Sequence, residues 1–186
     1  MTSQPAHNIV ISPIGDVTPD LLDPIRDEVK RIYGYPTEVL ALLDDLEFAF
    51  HPNRNQYHST PILEQLAAKT PAGAIKALAV VEVDLFIPIL THVYGEAQLG
   101  GRACIVSTIR LNEGHSYLNT QEPFLSRIVK EAIHELGHTF NLRHCREHTC
   151  LMHYCRNESD VDQKSDQLCR YCKVLLDDEI KRLEVK

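Results

Sequence analysis

Residues 134–145, HELGHTFNLRHC, hold three histidines, one glutamate and one cysteine within twelve positions. His134 and His138 stand four apart, so on a helix they stack one turn above the other on a single face. Two imidazoles at that spacing suit one metal ion. Glu135 lies about 100° further round and projects beside them, where a carboxylate can take a proton from zinc-bound water. Zinc lowers the pKa of such a water toward about 7, so a nearby base of ordinary strength suffices to generate a hydroxide nucleophile. A catalytic zinc keeps three protein ligands and one open position. His144 offers the third ligand, provided the helix stops and the chain turns back. Asn141 suits that turn, because asparagine tolerates the left-handed conformation. His148 and His153 lie nearby but off this spacing, and are read as exposed or supporting residues.

The elements needed to present these groups are legible in outline. HNIVISPIG (7–15) alternates and is β-branched, which predicts a first strand, and 19–34 carries apolar residues at helical intervals with Gly34 as a stop. A strand is expected at the start of 37–48, a polar loop over 51–59, and a helix over 61–69 that opens with proline. IKALAVVEVDLF (75–86) is the strongest buried-strand candidate. A glycine-rich loop then leads to a strand over Ala103 to Arg110. From Leu125 to Phe140 one apolar stripe runs at three- and four-residue steps, with Asn119 or Thr120 as cap and Pro123 in the first turn. The HELGH stretch therefore falls on the last turns of a core helix. Residues 145–172 read as a cysteine-bearing loop, and a final helix is expected from about Lys173 to Leu183. Strands alternating with helices predict an α/β domain with a largely parallel sheet.

A chain of 186 residues with 44% apolar content is expected to form one domain. Acidic residues outnumber basic ones, 26 to 19, so the net charge of -7 argues against nucleic acid as a partner. No segment approaches the roughly 20 apolar residues that span a bilayer, and the N-terminus lacks the basic and apolar regions of a secretory signal. These features predict a soluble, cytoplasmic protein without a membrane partner. In that reducing setting six cysteines are read as metal ligands or free thiols before disulfides. Five of the six lie after residue 144. Cys104, alone in an apolar strand, reads as a small core hydrophobe.

The span from His134 to His144 resembles HExxHxxGxxH, the elongated zinc motif of the metzincin metallopeptidases. The residues that follow sharpen the resemblance to the archaemetzincin family, whose pattern continues C-x4-C-x-M-x17-C-x-x-C. Here Cys145 follows His144 at once, Cys150 comes after four residues, Met152 after one more, and Cys169 and Cys172 close the set. Asn141 replaces the motif glycine, and sixteen residues separate Met152 from Cys169, one fewer than the pattern has. FIPILTHVYGEAQLGGRACIVSTIRL also looks like the family's stretch leading into its edge strand.

The resemblance implies an α/β (α+β) metzincin-like fold: a mixed, mostly parallel twisted sheet and an active-site helix, in an N-terminal part over 1–141. A small zinc-bound C-terminal subdomain over 142–186 completes it. It further implies two Zn2+ ions per chain. The catalytic ion would sit on His134, His138 and His144, with Glu135 as base. The structural ion would sit on Cys145, Cys150, Cys169 and Cys172, since four thiolates in two pairs form a closed site that folds a segment and leaves no position for substrate. Four residues also separate Cys150 from Cys155, and family spacing favours Cys145 over it. Met152 would form a hydrophobic floor beneath the zinc histidines, and Tyr154 would take the place of a tyrosine near the metal.

The activity so implied is zinc-dependent hydrolysis of peptide bonds in a peptide or protein substrate, bound extended along an exposed strand. The strand over Ala103 to Arg110 is the candidate edge. A non-catalytic zinc-binding interaction module and a zinc hydrolase of a non-peptide amide compete. Glu135 argues against the first, because a purely structural site has no use for a base.

Overall fold

Alternation in the first strand decides the centre of the molecule. In β1 (Asn8–Ile14), Ile9 and Ile11 enter one apolar cluster while Val10 and Ile14 enter another. That is the pattern of a strand buried on both faces. The same division holds in β5 (Ala74–Val81), where Leu78 and Val80 face the first cluster and Ala77, Ala79 and Val81 the second. It holds again in β8 (Ala103–Ser107), where Cys104 and Val106 oppose Ala103 and Ile105. The computed structural model describes residues 7–112 and 122–184. Within them the main sheet has the order β2 (Thr37–Val39), β1, β5, β8, β7 (Gly95–Ala97), parallel throughout except for β7 against β8.

Helices cover the two faces. On the first lie α1 (Pro19–Tyr33) and α3 (Glu122–Thr139); on the second lies α2 (Ser59–Lys69). Proline opens α1, where its missing N–H costs nothing, and Gly34 closes it at φ 77° with its N–H donated to Lys30 O. Tyr33 then fixes α1 against α3: its hydroxyl donates to Ile133 O at 2.7 Å and its ring stacks on Phe140. The expected cap at Asn119 or Thr120 lies outside the described residues.

Four expectations need correction. The strand from Ala103 is interior and ends at Ser107, with Arg110 already in a 3-10 turn; the edge strand on that side of the sheet is β7, in the stretch read as glycine-rich loop. Long apolar runs mark strands covered on both faces, so a run as apolar as Ala103–Ser107 could not be the exposed one. The predicted strand over 75–86 breaks after Val81, and Leu85–Phe86 forms β6 of a second sheet with β3 (Phe50–His51) and β4 (Gln56–His58). That hairpin occupies the segment read as a polar loop, since strands of two and three residues carry no periodic signal. The cysteine-bearing stretch also contains a short helix, α4 (Glu158–Gln163), capped by Asn157 Oδ1, and the last helix, α5, spans Arg170–Glu184. No helix among the described residues is long and apolar enough to cross a membrane.

Candidate active site

The end of α3 is built by its own backbone. Asn141 takes φ 62°, Asn141 N donates to His138 O, and Leu142 N reaches back to Gly137 O. This is the six-to-one, five-to-two pairing of a Schellman stop with asparagine in the left-handed position. Lys76 secures the same end, its buried ammonium donating to Thr139 O and Gly101 O at 2.7 Å each. The turn sends the chain back so that His144 meets the helix face. The ring of His144 lies 5.3 Å from that of His134 and 4.8 Å from that of His138, centre to centre. One nitrogen from each of the three lies within 4.8 Å of the others.

Carbonyls set the tautomers. His134 Nδ1 sits 2.9 Å from Leu151 O and His138 Nδ1 sits 2.7 Å from Leu142 O. A carbonyl only accepts, so each ring hydrogen is on Nδ1 and each Nε2 presents a lone pair. For His134 this contact decides over the longer 3.4 Å approach of Lys164 Nζ to the same nitrogen. The two Nε2 atoms are 3.1 Å apart. Two lone pairs at that distance repel, and a cation shared between them removes the repulsion, so the donor set fits a zinc ion. Burial pushes His134 well below the ordinary histidine range, and lowers His138. Partial burial, with His138 and Lys164 beside it, brings His144 down to about 4. All three are therefore neutral near pH 7, the form that binds metal.

Glu135 is buried beside them, and burial, with the neighbouring Glu131 adding and Lys164 opposing, raises its proton affinity well above that of an ordinary carboxyl. It lies against Gly95 of β7, where an added Cβ would stand 2.6 Å from Glu135 Cγ. Glu135, the histidines, β7 and Tyr154 line one cavity of about 680 Å³. Tyr154 is exposed, its ring 5.1 Å from that of His144. Met152 is fully buried under the helix at Gly137, where a Cβ would come 2.6 Å from its sulfur.

The sulfurs of Cys145, Cys150, Cys169 and Cys172 converge within 4.8 Å of one another. Cys169 N donates to Cys150 Sγ and Cys172 N to Cys169 Sγ, which places backbone donors on the thiols as a metal–thiolate knuckle requires. Cys155 stands apart, its thiol on His153 O and pushed up to about 11 by burial. The two groups are linked, because Cys145 N donates to Met152 O and His153 Nδ1 faces Cys145 O. Cys104 is a core residue, as expected.

This geometry has relatives. Residues 23–178 match the model of peptidase family M54. The chain belongs to the archaemetzincins, peptidase family M54. It is 34% identical to the archaemetzincin of Methanocaldococcus jannaschii over 91% of its own length and 93% of that protein. Its fold is similar to the crystal structure of the archaemetzincin of Methanopyrus kandleri, with a TM-score of 0.82 at 30% identity, covering 98% of this chain and all of that one. A zinc-dependent peptidase from Methanocorpusculum labreanum superposes with a TM-score of 0.80 at 30% identity, over 91% of this chain and all of that one. The chain is thus a zinc-dependent metallopeptidase, a hydrolase that acts on peptides. Sequence reasoning missed Gly95, Glu131 and Lys164. Glu131 had a signal, since it continues the stripe of His134, Glu135 and His138 by one turn.

Proposed function

We propose that His134, His138 and His144 hold the catalytic zinc and that Cys145, Cys150, Cys169 and Cys172 hold a second, structural one. The observation that carries this reading is the pair of Nε2 atoms 3.1 Å apart, each with its Nδ1 hydrogen committed to a carbonyl. When bound there, zinc supplies Lewis acidity and lowers the pKa of a water. Glu135 takes the proton of the attacking water and returns it to the departing amine nitrogen. Its burial and raised proton affinity suit both halves of that task. Met152 supports the helix from below at Gly137, and the carbonyls of Leu151 and Leu142 keep two imidazoles in register.

The substrate peptide lies extended along β7, whose outer edge borders the cavity. Edge backbone groups bind any sequence, while the cavity wall selects side chains. Ser59 Oγ and Thr60 Oγ1 donate to Glu96 and so tie β7 to the first turn of α2. The chain acts as one domain, with 142–186 a subdomain folded around its thiolate metal.

Glu135→Gln and His144→Ala, assayed for zinc and for peptide cleavage, test this assignment. Glu135→Gln keeps both zinc ions and loses about 10² to 10⁴-fold in turnover; His144→Ala loses one zinc along with activity. Near-normal cleavage by a fully loaded Glu135→Gln protein would end the assignment of the base.

A further inference from the structure

Glu131, His134, Glu135 and His138 occupy one helical stripe at intervals of three, one and three residues. Glu-x-x-His is itself a spacing that puts a carboxylate and an imidazole on one metal. Glu131 is buried and lines the same cavity as the histidines. Nothing in its position on the helix separates it from a fourth ligand.

Lys164 makes the difference. Its side chain is fully buried and its Nζ lies 2.5 Å from Glu131 Oε1. The contact is held by charge rather than direction, for that oxygen receives no hydrogen bond with proper angles from the described residues. Lys164 comes from the tail, just beyond α4, and its segment is stitched to the loop that carries Leu151 and Met152. Ser165 N and Oγ both donate to Thr149 O, and Leu151 N donates to Gln167 O. Arg127 adds a second tie at the same seam, pairing Asp162 at 2.6 Å.

We propose that Lys164 is a positioning residue that holds the Glu131 carboxylate out of the coordination sphere of the three-histidine centre, and so keeps its fourth position open. This rests on the metal assignment above. A free carboxylate among three neutral imidazoles is a strong ligand for zinc, and a site with four protein ligands has the closed form of structural centres. A buried carboxylate that loses its cation must take a proton or find another cation; Arg127 of the same helix is already paired with Asp162, and the ion held by the three histidines would be another cation in the same cavity. The ammonium thereby protects the position that substrate and water need.

Lys164→Met and Lys164→Met/Glu131→Gln decide it, with cobalt(II) loaded into the three-histidine centre after mild chelation has removed its zinc. In Lys164→Met the visible cobalt bands shift as a carboxylate replaces water in the fourth position, the ion is lost more slowly to a chelator, and turnover falls about 10- to 100-fold. Adding Glu131→Gln reverses all three changes. A merely structural role for Lys164 predicts faster ion loss and no recovery when Glu131 is neutralised. A cobalt spectrum in Lys164→Met identical to that of the natural protein overturns the proposal, as does a double variant that keeps the altered spectrum. Should Lys164→Met fail to fold, the double variant decides alone: folded with the natural spectrum and turnover, it supports the proposal, and otherwise it overturns it. A natural protein that takes up no cobalt on its histidines refutes the metal assignment itself, a result separable from an unaltered Lys164→Met spectrum.

Discussion

Gly95 and Glu135 are in contact because position 95 has no side chain. A Cβ there would come 2.6 Å from Glu135 Cγ, 2.9 Å from Cδ and 2.4 Å from Ile105 O. The last of these is backbone of β8, which cannot step aside. The edge strand and the base are therefore a single unit, with the strand setting how far the carboxylate reaches over the histidines.

Gly95→Ala should move either β7 or Glu135 without touching a metal ligand. A displacement of that size at the reacting groups costs about 10²-fold in turnover. Zinc content should stay at the natural level. Metal analysis beside a peptide-cleavage assay checks this; full activity in Gly95→Ala would show that the close approach does not constrain the base.

Gly137 and Met152 form the matching contact beneath the helix, with a Cβ at 137 standing 2.6 Å from the Met152 sulfur and 3.3 Å from Tyr33 Oη. Gly137→Ala should overpack this point and destabilise by about 1–3 kcal/mol. Met152→Ala should lose about 2–5 kcal/mol through the cavity it leaves. Combined, they should cost less than their sum, since each relieves the other. Thermal melts of the three variants measure this, and strict additivity would mean the two positions do not meet.

Cys169→Ser/Cys172→Ser should lose the more tightly held of two zinc ions, lower the melting temperature and reduce activity by freeing the segment that carries His144. In the natural protein the closed thiolate site should resist mild chelation while the three-histidine site gives up its ion first. One zinc per freshly purified chain, or an unchanged melting temperature in the double variant, would remove the structural metal.

The histidines also set a pH dependence. His134, His138 and His144 all hold their protons less well in the folded chain than at the usual value of 6.5, with His144 brought to about 4. The unfolded chain then binds more protons between those limits, so stability falls with falling pH. Zinc-free protein should be acid-labile from about pH 6.5 downward, with the loss due to His144 complete a little below pH 4. Zinc should shift the onset to lower pH, because it binds the neutral rings of the folded state. Melting temperature against pH, with and without zinc, is the measurement; a flat profile of the zinc-free protein from pH 7 to 4 would contradict it.

What the sequence determined by itself is local. His134 and His138 share a face, with Glu135 beside them, because helical periodicity stacks residues four apart, and Asn141 marks the turn because few residues tolerate a positive φ. The spacing of Cys145, Cys150, Cys169 and Cys172 marked a group that could hold a metal, because two closely spaced pairs of thiols can meet at one ion. The tertiary structure decided what joins distant segments. The edge strand beside the site is β7, three residues long and without an alternation to read. Gly95 meets Glu135 across 40 positions, and Lys164 meets Glu131 across 33. The Leu151 carbonyl reaches His134 only once the tail has folded back over α3. Such contacts depend on how sheets and helices stack, and periodicity within one element carries no information about which neighbour will cover it.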